Sequence, residues 1–163
     1  LTHSAPALDL SMRLTKSDTP SPETELEARI HAAKAALDKL AYDVIIVDLR
    51  DHNTFTDFFV ICSANSEIHL ESICRGIEDE LERHDMRPYH REGPPKTSWV
   101  VLDYIDVVVH VFLEEAREFY QLERLWADSP MIELGGEPPE EREPEEILLE
   151  LDIEELIEGF EEE

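Results

Sequence analysis

Glycine is scarce in this chain, with five in 163 residues, and the five are scattered. Neither a GxGxxG turn nor a GxxxxGKS/T loop occurs, so no backbone cradle for a nucleotide phosphate is expected. Cysteine is nearly absent. Cys62 and Cys74 alone cannot build a disulfide framework, and a reduced cytoplasmic setting fits better than secretion. No run of 18 apolar residues is present, which argues against a transmembrane helix. The opening stretch LTHSAPALDLSMRLTKSDTPSP lacks the basic and then apolar regions of a secretory signal. Its few arginines, together with Asp9 and Asp18, fit a mitochondrial transit segment poorly.

Basic residues are also few: 14 Lys and Arg face 40 Asp and Glu, for a net charge of −26. The imbalance is uneven. Residues 1–22 are neutral, whereas residues 133–163 hold 15 acids against Arg142 alone. Direct binding to a DNA or RNA backbone is disfavoured, because such binders present a basic stripe. An anionic membrane is disfavoured for the same reason. A basic protein partner fits, since complementary charge steers association.

What is present reads as one α/β domain. Residues 1–21, rich in Ser, Thr and Pro, suggest a disordered lead-in. Ser21-Pro22 opens a helix, with Ser as N-cap and Pro at the first helical position, and Leu26, Ile30, Ala33, Leu37 and Leu40 form its expected apolar stripe. DVIIVDL (43–49) and DFFVICS (57–63) read as strands. Asn65 or Ser66 caps a second helix with the stripe Leu70, Ile73, Ile77 and Leu81. RPYHRE (87–92) is a weak edge strand, WVVLDY and VVVHVF form a hairpin, and a helix is expected over 114–126. The order α-β-β-α-β-β-β-α predicts a mixed five-stranded sheet within 22–132. Residues 133–145 read as a flexible acidic linker and 146–163 as an acidic amphipathic helix. That helix either packs back on the domain or engages a basic, grooved partner.

Catalytic chemistry finds little support. The seven histidines, at 3, 31, 52, 69, 84, 90 and 110, lack metal-ligand spacing, so no metal or cofactor site is expected. Cys62 could pair with His69 or His110, but a free cysteine is more often core filler. Asp103 and Asp106 flank a turn that throws them apart. A metal-dependent nucleotidyltransferase remains the rival to a binding protein, although the phosphate turn it needs is missing.

The hairpin carries the most information. Alternation puts Val107, Val109 and Val111 on one face of their strand and Val108, His110 and Phe112 on the other. The valine face is the natural core face. The opposite face, with His110, Phe112 and nearby aromatics, has two readings: a partly uncovered interaction patch, or a second core holding a buried histidine.

DVIIVDLRDHNTFTDFFVICSANSEIH, RPYHREG and SWVVLDYIDVVVHVFLEEAREFYQLERLW closely resemble the ribosomal silencing factor family RsfS, also called Iojap, over about residues 24–130. TDFFVICS, DVVVHVF and REFYQLERLW are its specific parts. The resemblance implies a nucleotidyltransferase-like α/β fold without the catalytic apparatus. It also implies binding to ribosomal protein uL-fourteen on the large subunit, where the factor sterically blocks small-subunit joining and damps translation. Mitochondrial relatives act in large-subunit assembly.

By position, Trp99 and Val100 match the motif linked to partner binding. Strand pairing extends the expected site to Tyr104, His110, Phe112, Arg117 and Tyr120. Asp103, Glu114 and Glu118 would suit a basic ribosomal-protein surface. The hairpin reads YID where the family more often has glycine, which leaves the turn type and the register of Trp99 against His110 open. The acidic tail also exceeds the family's usual end near RLW. The expectation is therefore a non-enzymatic, cytoplasmic binding protein of the large ribosomal subunit, with homodimerisation compatible.

Overall fold

The structure, a computed structural model, describes residues 22–52, 54–94 and 96–138. The expected lead-in (1–21) and the acidic helix (146–163) lie outside the described residues. Helices α1 (Pro22–Asp38), α2 (Glu67–Arg83) and α3 (Glu114–Tyr120) pack against six strands. These are β1 (Tyr42–Asp48), β2 (Phe58–Ala64), β3 (His90–Glu92), β4 (Trp99–Asp103), β5 (Val107–Leu113) and β6 (Met131–Gly135). They form one mixed sheet in the order β3-β4-β5-β2-β1-β6, in which only β2 and β5 run parallel.

The strands form where β-branched and aromatic residues concentrate, and the two central ones, β2 and β5, are buried on both faces. As alternation predicts, Val107, Val109 and Val111 face the long helices. They join Val60, Cys62, Val100 and Leu102 in a core closed by Leu70, Ile73, Ile77 and Leu81 of α2. Ser66 is the N-cap of α2, and its hydroxyl accepts a hydrogen bond from the His69 amide at 3.1 Å.

Helix α1 departs from expectation in the face it buries. Ala28, Ala32, Ala33, Ala35 and Ala36 point inward, while Ile30 is 44% exposed and Leu37 only half-buried. Small side chains let α1 lie close to the sheet and α2. Of the expected stripe, Ala33 is buried and Leu37 packs at the core's edge, whereas Ile30 points outward.

Two boundaries also move. The sheet has six strands instead of five, because Met131–Gly135 pairs antiparallel with β1. That strand extends past residue 132 into the segment expected to be a flexible linker. The helix expected over 114–126 breaks at Gln121, which adopts a left-handed conformation (φ 46°, ψ 52°), and continues as a 3₁₀ helix over Leu122–Trp126.

The hairpin resolves the register. Trp99 pairs with Phe112 and Val101 with His110, so Trp99 and His110 are diagonal neighbours on one face. Ile105 occupies the turn at φ 73°, a region that glycine enters freely and a β-branched residue does not. The turn holds because Asp103 Oδ1 accepts from the Ile105 amide at 2.8 Å and the Tyr104 amide donates to the Val107 carbonyl at 2.8 Å. Replacing Ile105 with Gly should relieve the strain and stabilise the fold by up to about 1 kcal/mol, after allowing for the greater unfolded-state entropy of glycine. Urea unfolding checks this, and an unchanged or lower midpoint would mean that Ile105 packing outweighs the strain.

Candidate protein-docking face

Val100 and Tyr104 of the expected site pack on the α1/α2 side, whereas Trp99, His110 and Phe112 lie on the opposite face of the sheet. Trp99 and Val101 of β4, Val108 and Phe112 of β5, Phe59 and Ile61 of β2, and Ile45 and Val47 of β1 share it. After β5 the chain turns back over this face. Ala116 of α3 is buried against it, and Tyr120, Leu122, Trp126, Met131 and Phe55 pack around the cluster. Among the described residues, the second core is therefore closed by short pieces of chain.

His110 sits at the centre, 2% exposed. Its Nδ1 accepts a hydrogen bond from Trp99 Nε1 at 3.1 Å, and its ring meets Phe59 edge to face at 4.6 Å. Trp99 stacks on Phe112 at 4.7 Å and touches Tyr120 at 4.8 Å. Burial penalises the charged imidazolium and lowers the pKa of His110 to about 3. The ring is thus a neutral acceptor that organises a core.

These positions put much of the expected docking patch below the surface. Val100, Asp103, Tyr104, His110 and Phe112 are all buried, and Trp99 keeps only 9% of its surface. Arg117 is also turned inward. It donates to Glu123 Oε1 at 2.6 Å, to Ser63 Oγ at 2.9 Å and to the Asp43 carbonyl at 2.5 Å. Three short bonds to β1, β2 and the 3₁₀ helix make this arginine a tie for α3. Tyr120 is half-buried over Trp99. Glu114 is exposed and accepts from the Tyr42 hydroxyl at 3.1 Å.

The surface of this face belongs to residues that sequence reasoning passed over. Phe119 is 66% exposed and Leu125 is 74% exposed, one on α3 and one on the 3₁₀ helix. The signal lies in REFYQLERLW, whose five apolar residues spread over nearly three turns and too wide an arc for one buried stripe. Beside them runs a cleft of about 530 Å³ lined by Asp43, Glu114, Glu118, Glu123 and Glu133, with Arg117 and Arg124. Its acidic lining favours a basic side chain over an anion.

The suggested thiol nucleophile is not assembled. Cys62 packs on the α1/α2 side of β2, away from His110, and burial pushes its thiol up to about 12. The ring nitrogens of His69 are engaged by the Asn65 amide and the Lys39 carbonyl.

A family profile described as "Ribosomal silencing factor during starvation" matches residues 22–148. The chain belongs to the RsfS family. The match runs past RLW, where the resemblance was expected to end. Ribosomal silencing factor RsfS of Bacillus subtilis is 38% identical over 103 residues, covering 63% of this chain and 87% of that protein. The chloroplastic Iojap protein of Zea mays is 34% identical over 109 residues, covering 67% of this chain and 47% of that protein. A mouse protein named for mitochondrial assembly of the ribosomal large subunit is 30% identical over 115 residues, 69% of this chain and 50% of its own length.

Two solved structures share this architecture. A crystal structure from Bacillus halodurans superposes with TM-score 0.58 at 34% identity, covering 67% of this chain and 99% of that one. Another from Chromobacterium violaceum gives TM-score 0.61 at 25% identity, covering 69% and 88%. No helix among the described residues is long and apolar enough to cross a membrane.

The buried imidazole makes stability depend on pH. Between about 3 and the ordinary value of 6.5, the unfolded chain binds a proton at His110 that the folded chain does not. Stability from this group is therefore complete above pH 6.5 and falls as pH drops through that window, about tenfold in the folding constant per pH unit. A His110→Gln variant should unfold in urea with a shallower dependence between pH 7 and 5, by about one proton. Identical slopes for parent and variant would refute the assignment.

Proposed function

We propose that this protein is a non-enzymatic silencing factor that binds the large ribosomal subunit through ribosomal protein uL-fourteen. Occupying that surface blocks small-subunit joining by steric exclusion, with no bond made or broken. Membership of the RsfS family across residues 22–148 carries the reading. The setting is the cytoplasm, alongside the ribosomes.

The contact surface is the outer side of the α3 and 3₁₀ segment. Phe119 and Leu125 supply apolar anchors, and the acid-lined cleft beside them suits lysine or arginine side chains of a ribosomal protein. Trp99 supports this surface from beneath, because Tyr120 rests on it, whereas Val100 packs in the core under α2. A Trp99 variant therefore acts by disturbing how α3 is presented.

Large-subunit assembly is a second role of the same binding, favoured by the name of the mouse relative. Homodimerisation has its own support. Strand β6 ends the sheet and exposes Ile132 and Leu134, an edge on which another copy could add. Light scattering across a concentration series separates it from ribosome binding.

Co-sedimentation tests the main reading. The full chain should pellet with purified large subunits and bind isolated uL-fourteen, and it should reduce subunit joining. Phe119→Asp and Leu125→Asp should each weaken binding by about tenfold or more, equivalent to about 1.4 kcal/mol, without lowering the melting temperature. Undiminished binding by both variants would remove this surface from the interface. Failure of the parent chain to sediment would overturn the function. Calorimetry with magnesium and nucleoside triphosphates should stay flat, and a saturable signal would favour the nucleotidyltransferase reading.

A further inference from the structure

On the other side of the sheet, α1 and α2 pack together and gather His31, Glu80 and His84. Glu80 and His84 are four residues apart on α2, so both side chains project from the same stripe. His31 reaches them from α1. Glu80 Oε1 lies 3.6 Å from His31 Nδ1 and 3.3 Å from His84 Nε2. One ligand atom from each residue falls within 4.8 Å of the other two.

A tetrahedral zinc site with bonds of about 2.0–2.1 Å has ligand–ligand edges of about 3.3 Å. The two edges that meet at Glu80 are therefore near that length already. The third, between the imidazoles, is within 4.8 Å, and both side chains keep enough exposed surface, 25% and 39%, to reorient. The two rings stack at 3.8 Å with 24° between their planes, so one imidazole turns out of the stack for both lone pairs to meet at one ion. Arg83 Nη1 donates to Glu80 Oε2 at 2.7 Å. That contact holds the second oxygen away and leaves Oε1 facing the histidines, the kind of outer support that orients metal ligands.

We propose that His31, Glu80 and His84 bind one divalent ion of the zinc class, clamping α1 to α2 and leaving a coordination position open to water. Two imidazoles and one carboxylate suit zinc, cobalt or nickel better than magnesium or calcium. The expectation of no metal site came from linear spacing. His31 joins the pair on α2 only when the helices pack, so no short motif announces it. The site lies on the α1/α2 side of the sheet, opposite the face that carries Phe119 and Leu125.

Titration of the tag-free full chain with Zn²⁺ and with Co²⁺ tests it, using calorimetry and cobalt absorption. One ion per chain is expected, with visible cobalt bands, a rise in melting temperature on zinc addition and no response to Mg²⁺. His31→Ala, Glu80→Gln and His84→Ala should each weaken zinc binding by at least the roughly ten- to hundredfold that loss of an outer-shell partner typically costs. The same variants should keep the parent circular dichroism spectrum and sediment with large subunits as the parent does. Absence of saturable zinc and cobalt binding overturns the proposal, as does binding that survives both histidine substitutions unchanged.

Discussion

The imidazole of His110 accepts a hydrogen bond from Trp99 Nε1 within a cluster of aromatic rings, and it can accept only while neutral. The second core is arranged around that condition. Trp99 is held at an angle at which its ring stacks on Phe112 and supports Tyr120. Tyr120 ends α3, and Arg117 fixes the same helix to the Asp43 carbonyl and Ser63. The exposed Phe119 and Leu125 therefore stand on a platform whose position is set two layers below. An aliphatic residue at 110 would fill the space but leave the indole N–H without its acceptor, a cost of about 1–3 kcal/mol when buried. A buried histidine is a reasonable solution where a tryptophan must be both packed and oriented.

The long elements were legible because their periodicity is strong. Helix α2 shows its cap, stripe and apolar spacing openly, and the paired runs WVVLD and VVVHVFL identify the hairpin. The misses have separate physical causes. Helix α1 buries alanines, whose value is closeness of approach, a quantity no hydrophobicity pattern contains. Strand β6 is recruited by the free edge of β1, and four of its five residues are exposed, so nothing in its own composition marks it as core. Ile105 takes a backbone conformation that its side chain opposes, and only the pairing on both sides of the turn imposes it.

Much of the expected patch lies one layer beneath the surface. Strand alternation correctly put Trp99, His110 and Phe112 on the face opposite the valines. Of the two readings left open for that face, the second core is the one found among the described residues, where a two-turn helix, a 3₁₀ segment and Met131 cover the central strands. The positional match at Trp99 and the exposure of Phe119 can both matter if the tryptophan acts through Tyr120. The two arrangements differ in kinetics. Loss of a direct anchor acts mainly by raising the dissociation rate. A loosened platform also slows productive encounter, because fewer collisions find the docking-competent surface.

Charge places a further constraint on the proposed partner. A chain with net charge −26 is repelled by the phosphate-rich surface of a ribosomal subunit, and that repulsion extends about a Debye length, roughly 8 Å at physiological salt. Docking then needs a local basic protein patch that offsets it. Asp43, Glu114, Glu118, Glu123 and Glu133 are concentrated in one cleft beside the apolar anchors, where short-range attraction can operate. Salt acts on the two contributions in opposite directions: it weakens acid–base contacts at the cleft and relieves repulsion between the acidic chain and rRNA. Affinity for the isolated ribosomal protein should therefore fall as salt rises, whereas affinity for the whole subunit should change less. This contrast would locate the contact on protein, whereas direct rRNA binding predicts a steep loss with salt on the intact subunit.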